Sequence, residues 1–233
     1  MRSHPPTLLT LTRRAIERFG LFGKGDRVLA AVSGGPDSMA LVHALAILGN
    51  KMGFAVVAHG VDHGLRPEAP RELDVAETFC TSLGVPFGRT KVRVAAGGNL
   101  QARARDARHA ALEKARKKSR AVVIATAHHA DDRAETVLIR ILRGTGVQGL
   151  GVLPPRAVEA PLVRPFFFAT RADIVAHLTR HVVPFSTDPS NGDPRFVRVR
   201  IRNEVLPLLR ELNPGVARHL CRLADELTHS EET

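Results

Sequence analysis

The sequence contains no tryptophan and no tyrosine, and only two cysteines, Cys80 and Cys221, among its 233 residues. The cysteines lie far apart and form no CxxC pair, so neither a disulfide framework nor a cysteine-based zinc or redox site is indicated. No apolar run approaches the roughly 20 uncharged residues that a membrane helix needs, and the N-terminal apolar stretch is too short for a secretory signal. These absences predict a cytoplasmic protein without a membrane partner.

The charge balance is strongly positive. Lys and Arg total 34 against 23 Asp and Glu, a formal net charge of +11. Such an excess favours a polyanionic partner, because neutralisation of phosphates by Lys and Arg is the general source of affinity for nucleic acid. A high-GC genome also enriches arginine, so the balance alone leaves the partner open. Hydrophobic residues make up 44%, enough for a globular core, and no particular oligomeric state is predicted.

Apolar stretches alternate with amphipathic segments along the first two thirds of the chain. This alternation is typical of an α/β protein in which a doubly wound parallel sheet carries helices on both faces. We expect this core over residues 20 to 150, followed by a helix over 170–181 and an arginine-rich helix over 195–210. The predicted strands are 27–32, 54–59, 90–94 and 121–127, and the predicted helices are 37–48, 70–83, 100–118 and 132–143.

The segment SGGPDS follows the first predicted strand and begins a helix. A helix N-terminus behind two glycines presents free backbone N–H groups, which makes an anion site that suits phosphate. The ordinary nucleotide motif GxxxxGK[ST] is absent. A carboxylate in an anion site indicates a divalent cation that bridges it to phosphate oxygens; the alternative is a plain turn with an acidic helix start. The segment comprises Ser33, Gly34, Gly35, Pro36, Asp37 and Ser38.

A second polar segment, HHADDRAET at 128–136, follows the fourth predicted strand. If its helix begins near Asp131, then His128, Asp132 and Glu135 project in roughly one direction. Helix capping explains Asp131 alone, but a second carboxylate one turn later indicates a cation. Both Mg²⁺ and a substrate ammonium group are possible occupants.

These motifs together resemble a known family. SGGPDS resembles the signature of the PP-loop, or N-type, ATP pyrophosphatases, and HxxDDxxET behind it resembles the tRNA(Ile)-lysidine synthetases. Four further segments agree with that family, so the match covers roughly residues 25 to 212. They are VDHGLR at 61–66, ARDARHAAL at 104–112, LRGTGVQGL at 142–150 and DPSNGDPRFVRVRIRNEVLP at 188–207.

The resemblance implies an adenine nucleotide alpha hydrolase-like, Rossmann-like fold and a ligase that forms a carbon–nitrogen bond. ATP would activate carbon 2 of the wobble cytidine of a minor isoleucine tRNA as an adenylate. The ε-amine of free lysine would then displace AMP to give lysidine.

The resemblance also implies roles for individual residues. Residues 33–38 would hold the pyrophosphate portion of ATP, with Asp37 and Asp132 as ligands of Mg²⁺. His128, Asp132 and Glu135 would face the lysine substrate or the metal. Asp62 would lie near the nucleotide, and Arg108 near ATP phosphates or tRNA.

Domain organisation and RNA contacts follow from the same comparison. We expect a catalytic domain over 1–212 and a helical tail over 213–233, without the further C-terminal tRNA-binding domains usual in the family. Two basic stretches are candidate RNA tracks, although a solvated face is the ordinary interpretation of each. Asn191 would help to close the site, and only Phe and His are left to stack on an extruded base. The first stretch comprises Arg103, Arg105, Arg108, Lys114, Arg116, Lys117 and Lys118; the second comprises Arg195, Arg198 and Arg202 on one face, with Arg200 pointing elsewhere.

Three alternatives remain open on the sequence. A PP-loop tRNA thiolase would share the adenylation step, but its chemistry relies on cysteines, and Cys80 and Cys221 lie outside every motif. A small-molecule PP-loop ligase is disfavoured by the basic charge balance. A catalytically weak or inactive tRNA-binding module would tolerate the loss of Asp37 or Glu135, and both are present.

Overall fold

The computed structural model describes residues 6–64, 67–93, 100–187 and 195–229. Within these residues five parallel strands form one sheet in the order β3-β2-β1-β4-β5. The central strand β1 is the apolar run RVLAAV, in which Val28, Leu29 and Ala30 are buried. The strands are β1 Arg27–Val32, β2 Ala55–Asp62, β3 Phe87–Lys91, β4 Val123–Ala125 and β5 Leu162–Val163.

Helices cover both faces of the sheet, which confirms the predicted doubly wound architecture. On one face, helices α1, α2, α3 and α6 share a core with β1. On the other face, Leu112 of α4 packs with Leu29 and Ile124. The helices in the described residues are α1 Leu8–Arg18, α2 Pro36–Met52, α3 Ala69–Ser82, α4 Leu100–Ser119, α5 Ala130–Leu142, α6 Arg171–His181, α7 Val197–Arg200, α8 Leu206–Leu212 and α9 Val216–His229.

Three details of the predicted core are wrong. Strand β3 begins at Phe87 rather than at residue 90, because its pairing with β2 runs from Phe87 to Lys91. Strand β4 has three residues, not seven. The sheet also continues past residue 150, since β5 pairs with β4 at its edge. A strand of two residues is too short to stand out as an apolar run.

The predicted arginine-rich helix is present but irregular. Helix α7 continues directly into a π-helical turn, Ile201–Val205, and then into α8. π-helical turns are uncommon and often lie at functional sites. Here the turn carries Arg202 and Asn203 beside the candidate site described below.

The predicted C-terminal tail packs against the body of the protein. Ala217, Cys221 and Ala224 of α9 are buried, and Ala224 shares a hydrophobic cluster with Val137 of α5 and with Val152. Arg133 of α5, only 3% exposed, forms an ion pair with Asp225. Helix α9 therefore contributes to a core with α5. No helix in the described part of the chain is long and apolar enough to cross a membrane.

Candidate active site

The loop between β1 and α2 has the geometry of an anion site. Gly34 has a φ of +84°, and a Cβ there would lie 2.5 Å from the backbone oxygen of Glu72, so only glycine fits. Gly35 is the N-cap of α2 and Pro36 begins its first turn. The Ser38 hydroxyl donates to the Gly35 carbonyl at 2.9 Å and accepts from the Ser33 N–H at 3.1 Å. The loop therefore presents the first N–H groups of α2 at the carboxyl end of β1.

Asp37 lies in the first turn of α2 and is partly exposed. Its carboxylate accepts from Nη1 of Arg171 at 3.3 and 3.4 Å. Its Oδ2 lies 3.9 Å from Nε2 of His129. Asp37 thus joins the phosphate loop to the beginnings of α5 and α6.

Asp62 lies at the carboxyl end of β2, next to β1 in the sheet. Its side chain is 8% exposed, and its Oδ1 accepts from the Gly64 N–H at 2.8 Å. This bond stabilises the turn that follows the strand. The neighbouring residues 65 and 66 of the predicted VDHGLR motif lie outside the described residues.

Three aspartates gather around His129, a residue that our sequence reasoning left out. His129 is the N-cap of α5 and is 1% exposed. Within the described residues, neither of its ring nitrogens has a hydrogen-bond partner. Carboxylate oxygens nevertheless lie nearby, those of Asp131 at 3.6 Å, Asp132 at 3.4 Å and Asp37 at 3.9 Å. The available signal was its position at the helix start, two residues before Asp131.

His128 lies before the N-cap rather than on the helix, so its place differs from the predicted helical offset. Its Nδ1 lies 3.0 Å from the Thr126 hydroxyl. Burial lowers its pKa to about 4; Asp132 opposes this shift, and Arg164, Arg108 and Arg198 reinforce it. His128 is therefore neutral at pH 7.

Asp132 is ionised in this environment. Burial raises the pKa of its carboxyl group, but the imidazoles of His129 and His128 and the His129 N–H lower it more, so the pKa lies below its ordinary value. The His129 N–H donates to its Oδ2 at 3.1 Å. Oδ1 lies 3.4 Å from Nη2 of Arg202.

Glu135 is bound by two arginines, one on α7 and one on the π-helical turn that follows it, and is only 1% exposed. Arg198 donates to its Oε2 at 2.9 Å, and Arg202 donates to Oε1 at 2.6 Å and to Oε2 at 2.9 Å. Both oxygens of Glu135 are therefore already bonded. The predicted shared face of Arg198 and Arg202 exists, but it turns inward towards α5 instead of being simply solvated.

The other arginines of that segment lie elsewhere. Arg200 pairs with Glu204 one turn later, at 3.1 Å, on the exposed side, as its predicted direction requires. Arg195 precedes α7 and is exposed. Asn191 lies outside the described residues.

A cavity of about 290 Å³ lies between α5, α6 and the C-terminal helices. Asp131 lies at its wall, where it accepts from the Arg171 N–H at 2.6 Å and pairs with Arg210. Charges of both signs face this cavity. Its lining residues are Asp131, Glu135, Arg171, Arg202, Asn203, Leu206 and Arg210.

Arg108 lies on α4, on the opposite side of the sheet from α2. Desolvation and the charge of Arg105 both lower its pKa, and its charge lowers the pKa of His128. Arg108 is therefore close enough to the carboxyl end of β4 to act electrostatically on His128, which follows that strand. Arg164, which our sequence reasoning did not single out, acts on the same histidine.

The fold and this site define a class of protein. The parallel sheet has a glycine-containing loop with the geometry of an anion site after β1 and a cluster of His and Asp side chains after β4. In addition, residues 9–209 match the model of the PP-loop domain family. The chain belongs to this PP-loop family.

Curated relatives narrow the class to the tRNA(Ile)-lysidine synthases. The chain is 37% identical over 95% of its length to the tRNA(Ile)-lysidine synthase of Thermobifida fusca, covering 69% of that protein. It is 39% identical over 91% of its length to the corresponding synthase of Geobacter sulfurreducens, covering 46% of it. The Bifunctional protein TilS/HprT of Listeria monocytogenes is 36% identical, with 34% of its length covered. The chain thus spans between a third and about two thirds of these relatives.

Solved structures agree with the fold. The U34-tRNA thiolase NcsA of Methanococcus maripaludis superposes with a TM-score of 0.79 at 17% identity, covering 95% of this chain and 79% of that chain. The NMN synthetase of Francisella tularensis superposes with a TM-score of 0.58 at 11% identity, covering 99% and 97%. At these identities the likeness concerns the fold.

Proposed function

We propose that this chain catalyses the ATP-dependent conversion of the wobble cytidine of a minor isoleucine tRNA to lysidine. The observation that carries the proposal is the meeting of the phosphate loop and the Asp–His cluster. Asp37 of the loop and Asp132 of α5 both lie within 4 Å of the same nitrogen of His129. An anion site and an acidic site thus adjoin at the carboxyl ends of β1 and β4, on a chain whose relatives are named for this product.

ATP would bind with its pyrophosphate portion at residues 33–38. The N–H groups of the first turn of α2 and the Ser33 hydroxyl are donors for phosphate oxygens, whereas the Ser38 hydroxyl already donates to the Gly35 carbonyl. Asp62, at the end of the next strand, is placed for the nucleoside part. One oxygen of its carboxylate accepts a hydrogen bond from the Gly64 N–H, and the carboxylate has further acceptor capacity for a hydroxyl or amino group.

Asp37 and Asp132 would hold Mg²⁺ together with the phosphates. In the described residues no group of three or more His, Cys, Asp or Glu side chains forms a metal site by itself. That fits Mg²⁺, which usually takes one or two carboxylates and completes its shell with water and substrate phosphates. The ion would neutralise charge on the departing pyrophosphate.

The lysine substrate would use the cavity beside Asp131. A free amino acid with an ammonium side chain carries both charge signs, and the cavity wall offers carboxylates as well as guanidinium groups. Asp132 is the candidate for ammonium contact, with the neutral His128 as an additional acceptor. Both oxygens of Asp131 are already bonded, to the Arg171 N–H and to Arg210. Glu135 would contribute by holding Arg198 and Arg202, because its own oxygens are bonded to them.

The proposed reaction has two steps, adenylation of cytidine and displacement of AMP by lysine. The oxygen on carbon 2 of cytidine attacks the α-phosphorus of ATP, which forms the adenylate and releases pyrophosphate. The ε-amine of lysine, after losing a proton to solvent or a basic group, then attacks carbon 2 and expels AMP. The tRNA would reach the site over a basic surface, in keeping with the net charge of +11.

A thiolase activity is less compatible with the two cysteines. Burial raises the pKa of Cys80 to about 12 and that of Cys221 to about 11, so both remain thiols at neutral pH. The Cys221 thiol also donates to the Ala130 carbonyl at 3.2 Å. Neither group is suited to carry activated sulfur.

The proposal is tested by measuring whether ATP cleavage depends on tRNA and on lysine. We would incubate the chain with ATP, total bacterial tRNA and lysine, omit one component at a time, and measure AMP and pyrophosphate. The expected result is stoichiometric release of both products that requires tRNA and is sustained only with lysine. AMP release that is the same with and without tRNA and lysine would contradict the proposal and favour a small-molecule ligase.

A further inference from the structure

Arg164 is a buried arginine at the carboxyl end of β5 that the proposed reaction has not used. Its side chain is 7% exposed. Nη1 donates to the Pro154 carbonyl at 2.5 Å. Among the described residues, the buried Nε has no hydrogen-bond partner and no carboxylate forms an ion pair with this guanidinium. The edge formed by Nε and Nη2, which is the one that binds two oxygens side by side, therefore has no acceptor within that part of the chain.

The neighbours of Arg164 are positive rather than negative. Burial and the charges of Arg105 and Arg133 lower its pKa to about 10, so it stays charged at neutral pH. Arg133 is already paired with Asp225. Arg105 is exposed on α4. Burial, reinforced by the charges of Arg108, Arg105 and Arg164, lowers the pKa of the nearby His109. A buried charge among like charges is unfavourable unless an anion completes the group.

We infer that Arg164, with Arg105 and Arg108, forms a phosphate-binding site, and that its occupant is a backbone phosphodiester of the RNA substrate. The identity of the occupant rests on the proposed function. The planar fork of arginine matches two oxygens of a phosphate. Arg105 is exposed and close enough to act on Arg164 electrostatically, so it would extend the site to the surface.

The sheet separates this site from the phosphate loop. Strand β4 lies between β1, which precedes the loop, and β5, which precedes Arg164. Two strand spacings amount to roughly 10 Å. Arg105 also lies on α4, which packs on one face of the sheet, whereas the loop leads into α2 on the other face. A phosphate held by Arg164 is thus distinct from the pyrophosphate at the loop.

The test compares RNA and ATP binding in charge variants of the full chain. Arg164→Gln, Arg164→Lys and Arg105→Gln would be titrated with bacterial tRNA at several salt concentrations and, separately, with ATP. Arg13→Gln, an exposed change on α1 at the opposite face, is the matched control. Folding would be checked by circular dichroism. If Arg164→Gln fails to fold, the milder Arg164→Lys and the surface change Arg105→Gln decide the question.

The expected result is specific to RNA. Arg164→Gln and Arg105→Gln should each reduce the slope of log affinity against log salt by about 0.7 to 0.9, the value of one lost phosphate contact. Arg164→Lys should keep the slope and weaken binding several-fold, because the charge remains and the fork is lost. ATP affinity and the Arg13→Gln control should be unchanged.

Two outcomes would overturn the inference. Folded variants with unaltered tRNA affinity and salt slope would remove the phosphate site. Weaker ATP binding with unchanged tRNA binding would assign the arginines to the nucleotide instead of RNA. A wild-type chain that shows the Arg164 dependence but makes no lysidine would reject the proposed function while leaving the phosphate site intact, so the two failures are distinguishable.

Discussion

The carboxylates of the site differ in what surrounds them, and this difference divides their roles. Asp37 is partly exposed, and its arginine contact is long, at 3.3 Å or more. Glu135 is almost fully buried and receives three short donor contacts. In the proposed reaction a cation or substrate would therefore reach Asp37 directly, whereas Glu135 would act through the arginines that it holds.

Asp37→Asn tests the metal role. The change keeps the size and removes the charge, so adenylation should fall at least 100-fold, a loss of about 3 kcal/mol of transition-state stabilisation. The measurement is pyrophosphate release at saturating ATP and tRNA. Asp74→Asn, which removes an exposed carboxylate paired with Arg89, is the control. Near-normal turnover by Asp37→Asn would show that Asp37 holds no metal.

Glu135→Gln tests the positioning role. Loss of the charge leaves Arg198 and Arg202 without their shared partner, and breaking such a buried pair should lower the free energy of unfolding by about 3 kcal/mol. Glu204→Gln breaks the exposed pair with Arg200 and should cost less than about 1 kcal/mol. Urea unfolding measures both. Unchanged stability combined with a raised KM for lysine would instead mean that Glu135 contacts the substrate.

At the scale of elements, three histidines join α2 and α6. Nδ1 of His43 lies 2.8 Å from Nε2 of His177, and the rings of His177 and His181 are 4.5 Å apart. The same two helices carry Asp37 and Arg171 at their N-terminal ends. The packing of this trio therefore bears on the geometry of the site.

This trio predicts an acid-sensitive fold. Burial, followed by the charges of His43, His181 and Arg180, lowers the pKa of His177 to about 4. The unfolded chain has a His pKa near 6.5, so below that pH it binds more protons than the folded chain, and stability falls as the pH drops towards 4. Between pH 7.5 and 5 the loss should reach about 2 kcal/mol.

Urea unfolding of wild type and His177→Gln at both pH values measures this loss. The variant should lose the share of the pH dependence that His177 contributes, about 2 kcal/mol, and His219→Gln, a change at an exposed position of α9, should keep the full dependence. Equal pH dependence in wild type and His177→Gln would refute the assignment.

Helix α9 gives a second test at this scale. Asp225→Asn removes the charged partner of Arg133, which is 3% exposed and also lies over the Phe167 ring at 4.0 Å. The uncompensated buried cation should lower the free energy of unfolding by about 3 kcal/mol. Glu226→Gln, one residue along in the exposed pair with Arg222, is the matched control. A thermal midpoint of Asp225→Asn equal to wild type would mean that α9 adds little to the core.

The features that could be predicted from the sequence are those formed by residues close together along the chain. The apolar run of β1 and the loop SGGPDS are continuous signals, and the structure has the strand and the helix start where they were expected. The bonds of Glu135 to Arg198 and Arg202 join residues more than 60 positions apart. Helical or strand periodicity along the sequence therefore cannot predict them. His129 and Arg164 were missed because their burial depends on packing between distant elements.

At the scale of the whole molecule, the sheet edge collects three kinds of group. The phosphate loop follows β1, the acidic cluster follows β4, and the buried Arg164 follows β5, on adjacent strands of one sheet. The net charge of the whole chain, +11, suits a polyanionic partner. In our proposal, the order of strands would thus arrange sites for nucleotide, amino acid and RNA side by side.

The most direct test of this account is to analyse the RNA product. The chain would be incubated with ATP, isotopically labelled lysine and total bacterial tRNA, and the tRNA would then be digested to nucleosides and examined by mass spectrometry. The account predicts a labelled nucleoside with the mass of lysidine, formed from cytidine only when ATP is present and absent with Asp37→Asn. Unlabelled tRNA, or a sulfur-containing cytidine in its place, would contradict it.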